Sequence, residues 1–547
     1  MKKILVFSIM AFSIFVFGVE NVYNYADLRA DKDQIIMLRN QGFDLIRESL
    51  RKVDGSYSFK VYATDKQFEE LRILGFDPQI LVDKRTIEDK SAGYHSNKSI
   101  GLEFDSLQTL YPTLCKRIQV GTSVLRSPIW ALKISDNVTE DEPEPEFKYT
   151  STMHGEEPVC MELCMELIYD IVDGYIAGND TMRYMVDNTE LYIMPLHNPD
   201  GWAVGSRYNA NGVELNSSFP ERIYNDINTP VGKEPETAAM INWNDDRNFV
   251  MSANLHSAFN VVNYPWDIDD GLHTGDYAAC PDDANFVYIS RGYADRNPSM
   301  TMLDNGITNG CEWWELTHGM QDWNYHYYGD MEVMIEISEN AWPDYSEISL
   351  IWTDNRSSML WYIMAVHKGI KGTVTDSSTG EPLEAKITID GIQKDYFSNA
   401  PFGDYYKILK PGTYSLRASL IGYNSKYFTD IVVKDSLATV SNIELDSIKV
   451  GMEDKVHLPE KVILEQNYPN PFNPNTSIGF SIDEEQFVKL RIYNINGKLV
   501  QTLVERDLKP GCYNYSFKPT DISGGIYFYN LLTETGASIT KKMILMK

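Results

Sequence analysis

Residues 147–157, FKYTSTMHGEE, alternate apolar and polar positions as a strand does, and they run into a turn that contains Gly155. Apolar side chains then recur at Val159, Met161, Leu163, Leu167 and Ile168, which predicts a helix. In MEVMIEIS the two-residue period sets Glu332 and Glu336 on one face and Met331, Val333, Ile335 and Ile337 on the other. That pattern suits a strand with one exposed face. Further upstream, Phe68, Leu71 and Leu74 mark a helix face, with a stop at Gly75 and a short strand over residues 78–82. Strand and helix patterns alternate from residue 99 to 367, which predicts an α/β domain, a mixed sheet flanked by helices. From residue 368 the texture becomes short β-rich runs with turn pairs at Thr379-Gly380 and Pro411-Gly412. A small all-β sandwich over 368–446 follows from this. Residues 463–547 repeat the pattern, with turns at Asn496-Gly497, Pro510-Gly511 and Gly524-Gly525, and predict a second small sandwich.

Composition divides the chain further. A length of 547 residues exceeds what one hydrophobic core supports. Lys2 and Lys3 precede an apolar run over 4–17, so residues 1–19 read as a secretory signal. No other stretch is long enough to span a bilayer. Residues 20–98 form a small α+β pro-segment ending in a polar connector open to proteolysis, and 447–462 form a linker. A permanent accessory domain is the alternative to a pro-segment. Against 78 acidic side chains stand 49 basic ones, a formal charge of −29 that opposes nucleic acid and anionic lipid as partners. Six cysteines are too sparse for a disulfide framework, and no bridge is assigned.

The candidate chemistry lies in four residues. His154 and Glu157 sit three apart on the turn before the helix, and His256 ends an apolar strand in MSANLHS. Two imidazoles and one carboxylate suit a single catalytic zinc with a fourth position open to water. The same residues also fit blander roles: His154 as a helix cap, Glu157 at a positive helix terminus, His256 in packing. Glu336, if it faces that pocket, is placed to move a proton between water and a leaving amine, and Arg207 is the candidate to hold the oxyanion.

Taken in order, HGEEPV, PLHNPDGW, RYNANGVELN, SANLHS, VVNYPWD, ITNGCEWW, GMQDWNY and MEVMIEIS resemble the zinc metallocarboxypeptidases, in particular the regulatory N, E and D-like subgroup. The resemblance covers residues 99–366. It implies one zinc per chain on His154, Glu157 and His256, with Glu336 as general acid/base and Arg207 as the carbonyl polariser. It also implies substrate contacts at Asn216, Trp314, Asp267 and Gln321, the last two favouring a basic C-terminal side chain. The 368–446 sandwich resembles the transthyretin-like domain of that subgroup, and the last sandwich resembles the C-terminal sorting domain of type IX secretion cargo. Two departures stand out. Ser217 occupies the place of an arginine that grips the substrate carboxylate, and Trp314 replaces a tyrosine. A fork of guanidinium donors binds a carboxylate bidentately; a hydroxyl gives one neutral bond. The expectation is a secreted or cell-surface zinc carboxypeptidase acting on peptide or protein C-termini and carried by the type IX machinery. A zinc amidase or endopeptidase without the clamp, or a non-catalytic peptide-binding module, are the alternatives.

Overall fold

The computed structural model describes residues 23–31, 34–35, 37–38, 41, 43–54, 56–81, 91–224, 226–269, 276–301, 303–448, 461–468, 470–472, 476–519 and 523–546. The signal expected at 1–19 lies outside the described residues, as do 82–90 of the connector and 449–460 of the linker. The chain divides into two compact units, residues 1–86 and 87–547.

In the first unit, β1 (Tyr23–Ala30), β2 (Asp44–Val53), β3 (Ser56–Thr64) and β4 (Gln79–Leu81) form an antiparallel sheet in the order β2-β3-β1-β4. Helix α1 (Asp65–Ile73) starts on a capping box: Thr64 Oγ1 accepts from the Gln67 amide, and the Gln67 side chain accepts from the Thr64 amide. Phe68 and Leu71 are buried as their spacing predicts. Leu74 is not, because the helix ends at Ile73 and Leu74 becomes its exposed C-cap.

The second unit opens on a strap over residues 91–96. Tyr94 is buried among Trp202, Trp342 and Tyr345, and its hydroxyl donates to the Pro343 carbonyl. His95 lies between two carboxylates, with Nδ1 2.7 Å from Glu162 and Nε2 3.1 Å from Glu103. Helix α2 (Asn97–Leu110) leads into an eight-stranded sheet. Its strands are β5 (Cys115–Thr122), β6 (Pro128–Ile134), β7 (Glu146–Ser151), β8 (Glu190–Met194), β9 (Phe249–His256), β10 (Phe259–Tyr264), β11 (Ile307–Asn309) and β12 (Met331–Ser338). They run in the order β11-β10-β12-β9-β7-β8-β6-β5. The central β12-β9-β7-β8 strands are parallel and the others mix both senses, so the sheet is mixed as the sequence predicts. Helices α3 (Pro158–Ile176), α5 (Asp283–Ala294) and α7 (Ile348–Met364) pack on one face. Helices α4 (Pro235–Asp245) and α6 (Met320–Tyr328) cover the other.

With helices on both faces, no central strand has a solvent side. All eight residues of β12 are buried, so its alternation does not mark an exposed face. Beyond α7, residues 370–447 form a five-stranded and a four-stranded sheet around Val374, Ile387, Tyr405, Leu416 and Leu445. Residues 463–545 form a three-stranded and a four-stranded sheet around Ile478, Phe480, Leu490, Tyr529 and Leu531. The Asn496-Gly497 turn is realised with Gly497 at φ 73°, a left-handed conformation open to glycine. Cys115, Cys160, Cys164, Cys280 and Cys311 are buried free thiols.

Candidate metal and active site

The C-terminal ends of β7 and β9 carry the candidate ligands. β7 stops at Ser151, and the chain folds back through Gly155 before α3 begins at Pro158. That return needs glycine, since a Cβ on residue 155 would come within 2.1 Å of the Gly201 backbone. His154 and Glu157 flank the close approach, and His256 is the last residue of β9. Glu336 pairs in parallel register with His256, and neighbours in register project from the same face of a sheet. His154, His256 and Glu336 are fully buried, and Glu157 is nearly so.

Three side chains converge on one point. His154 Nδ1 is 2.9 Å from Glu157 Oε1, His256 Nδ1 is 3.2 Å from His154 Nδ1, and His256 Nδ1 is 3.2 Å from Glu157 Oε2. Ligands 2.0–2.1 Å from a tetrahedral zinc stand about 3.3 Å apart, so this donor set fits that ion. Among the described residues three other groups bring potential ligands together, but Asp269, Cys311 and Glu315; Asp136, Glu142 and Glu144; and Asp141, Glu146 and Glu190 include no imidazole.

The surrounding charges prepare the site. Burial and Arg207 oppose protonation of His154, yet Glu214 and Glu157 outweigh them and raise its pKa well above the ordinary value. A metal cation in place of that proton satisfies the same carboxylates. Burial alone would raise Glu157, but the two imidazoles hold it far below the usual carboxylate range. Glu214, to which the sequence reading gave no role, bonds to both partners: Oε1 is 2.9 Å from His154 Nε2 and Oε2 accepts from Arg207 Nε at 2.6 Å. A carboxylate behind a ligating imidazole fixes its tautomer and ring orientation. Arg207 in turn brings Nη1 within 3.2 Å of His154 Nδ1.

Of the candidate substrate contacts, Asn216 is tied to this cluster, its backbone amide donating to Glu214 Oε1 at 2.9 Å. Asn216 Oδ1 accepts from the Met320 amide at 3.2 Å, while Ser217 ends a short 3₁₀ turn, Leu215–Ser217, and is exposed. Gln321 Nε2 donates to Asp267 Oδ1 at 2.8 Å and to Asn263 Oδ1 at 2.5 Å, and all three residues are buried. Asn263 joins this cluster without a signal in the sequence reading. Trp314 caps the short helix Gly310–Trp313 and is half-buried. Arg222, the nearest cation along the chain after Ser217, is engaged elsewhere. It donates to the Ile268 carbonyl, stacks 4.1 Å over the Trp266 ring and lies 3.8 Å from Asp322.

Residues 103–358 match the family model of zinc carboxypeptidases, and residues 466–546 match a secretion system C-terminal sorting domain. The chain is 37% identical over 345 residues to carboxypeptidase SOL1 of Arabidopsis thaliana, covering 62% of this chain and 69% of that protein. It is 34% identical over 378 residues to mouse carboxypeptidase M, covering 64% of this chain and 84% of that protein. The fold is shared with the crystal structure of carboxypeptidase A from Helicoverpa armigera. That likeness has a TM-score of 0.51 at 15% identity, over 62% of this chain and 96% of the other.

Proposed function

The chain belongs to the zinc carboxypeptidase family, and from that premise we propose that it removes C-terminal residues, Lys or Arg foremost, from peptides outside the cell. His154, Glu157 and His256 would hold the zinc, which when bound supplies Lewis acidity for a substrate carbonyl and a more acidic water. The observation that carries the reading is the buried convergence of these three donors beside Glu336, which shares a sheet row with His256. Glu336 takes a proton from the attacking water and returns it to the leaving amine. Arg207, held by Glu214, presents its guanidinium to the developing oxyanion. Glu214 keeps the His154 ring oriented, and the buried helices on both sheet faces exclude bulk water from beneath the site. Asn216 and Trp314 border the bound C-terminus. A buried carboxylate at Asp267 beside Gln321 favours a cationic side chain by direct charge pairing.

The exposed Ser217 and the engaged Arg222 support a second reading, a zinc amidase or endopeptidase whose substrate offers no terminal carboxylate. The sorting domain marks the chain as secreted or cell-surface. We read 1–19 as the export signal, 20–98 as the pro-segment and connector, whose strap at 91–96 packs with the second unit, and 99–367 as the catalytic domain. In this reading 368–446 is the transthyretin-like domain, 447–462 a linker and 463–547 the part read by the type IX machinery. Among the described residues no helix is long and apolar enough to cross a membrane.

Metal analysis and two variants test the core of this reading. Purified protein is expected to hold one zinc per chain, and Glu336→Gln to keep that zinc while turnover on free-carboxylate peptides disappears. An amide cannot accept the proton. Turnover at the wild-type rate in Glu336→Gln removes Glu336 as the base, and retention of zinc after replacing both His154 and His256 by Ala removes the ligand assignment.

A further inference from the structure

The sheet face that carries His256 and Glu336 is polar well beneath them. Register pairs Lys148 with Ser252 and Ser252 with Glu332, then Thr150 with Asn254 and Asn254 with Met334, then His256 with Glu336. Residues two apart along a strand share a face, so these are successive rows leading up to the catalytic pair. Glu332 spans two of them. Its Oε2 accepts from Ser252 Oγ at 2.9 Å and from Asn324 Nδ2 at 2.6 Å, and its Oε1 accepts from Asn254 Nδ2 at 2.7 Å. Lys148 supplies the counter-charge, 2.6 Å from Asp330 and 4.0 Å from Glu332. Lys148, Ser252, Asn324, Asp330 and Glu332 are wholly buried, and Asn254 is 2% exposed.

Such a network is an unfavourable way to fill the centre of a sheet. Desolvating three charges offsets most of their mutual attraction, and apolar side chains of the same volume serve stability as well or better. What the charges add is rigid placement. Asn254 stands two residues before His256, and its bond to Glu332 is the last side-chain link between β9 and β12 below the row of His256 and Glu336. Ligands and bases have to be held to within about 0.5 Å, and groups behind the ligands do that holding.

We propose that Glu332 is a positioning residue, which through Asn254 fixes the ends of β9 and β12 so that His256 and Glu336 hold their places at the metal. The inference rests on the ligand and base roles assigned above. It is tested on the full chain by the rate of zinc release into excess chromogenic chelator together with steady-state kinetics. Glu332→Leu, which removes the acceptor, is expected to release zinc faster and to lower kcat, each by about 10–100-fold, with KM nearly unchanged. Glu332→Gln keeps an acceptor for Asn254 and is expected to recover zinc retention and kcat together. A folded Glu332→Leu protein with wild-type zinc release and kcat overturns the proposal. Should Glu332→Leu not fold, Asn254→Ala is read in the same way, since it leaves Glu332 bonded to Ser252 and Asn324; unchanged zinc release there overturns it as well. Wild-type protein that binds no zinc removes the site assignment itself, whereas zinc in the wild type with no change of zinc release or kcat in Glu332→Leu removes only the positioning role.

Discussion

Ser217 is the residue at which the chain departs furthest from the resemblance drawn in its sequence. It is exposed at the end of a 3₁₀ turn beside the buried Asn216, so an arginine has room there without repacking the core. Arg222 lies against Trp266, Ile268 and Asp322 and is not free to stand in. A charge-assisted contact contributes about 1.5–3 kcal/mol, so Ser217→Arg is expected to raise kcat/KM on free-carboxylate peptides by roughly 10–150-fold and leave amidated ones unaffected. Parallel assays on free and amidated forms of one peptide check this. No gain, with equal cleavage of both forms by the wild type, favours the amidase or endopeptidase. The candidate ligand group of His154, Glu157 and His256 was legible because imidazole and carboxylate chemistry is written in residue type. Glu214 was not, although it lies in RYNANGVELN, because its value depends on reaching both His154 and Arg207 across a loop. Asn263 escaped for the same reason: only the folded sheet brings it to Gln321.

Among the elements, the strand-turn-helix over 147–176 was legible from period alone, whereas β12 was half legible. Its alternation is real, but Glu332 and Glu336 face a buried polar layer rather than water, and a two-residue period cannot tell these apart. The two outer helical layers decide it. The strap at 91–96 shows another contact invisible to local pattern. Burial disfavours the charged His95 ring, and the bonds and charges of Glu162 and Glu103 outweigh it, so its pKa is raised. A raised folded value contributes stability that is fully present below the unfolded value of about 6.5 and is lost as pH rises through the folded value. His95→Gln is therefore expected to lower Tm most at about pH 5.5, with the gap to wild type narrowing toward about pH 9. Paired thermal melts across that range check it. A gap that widens with rising pH contradicts the pairing of a charged His95 with Glu162 and Glu103.

On the scale of the whole molecule, the 368–447 β region is fastened to the α/β domain by a buried ion pair. Lys407 Nζ lies 2.6 Å from Asp282 Oδ1, and the Tyr325 and Tyr396 hydroxyls donate to Asp282 Oδ2. Burial would raise Asp282, but Lys407 outweighs it and lowers its pKa. Lys407→Met leaves that carboxylate buried without its cation and is expected to cost about 3–5 kcal/mol of stability by denaturant unfolding. A loss below about 1 kcal/mol means water reaches the junction and the two parts are joined loosely. The change near residue 368 from alternating helices and strands to strands alone was legible from texture; the junction was not, because Lys407 and Asp282 are far apart in sequence. The buried thiols carry a different consequence. Exported proteins commonly rely on disulfides, which take seconds to hours to form and reshuffle. Cys115, Cys160, Cys164, Cys280 and Cys311 form none. The cores that hold these five thiols therefore need no oxidant to complete them, and a reductant has no cross-link among the five to cut.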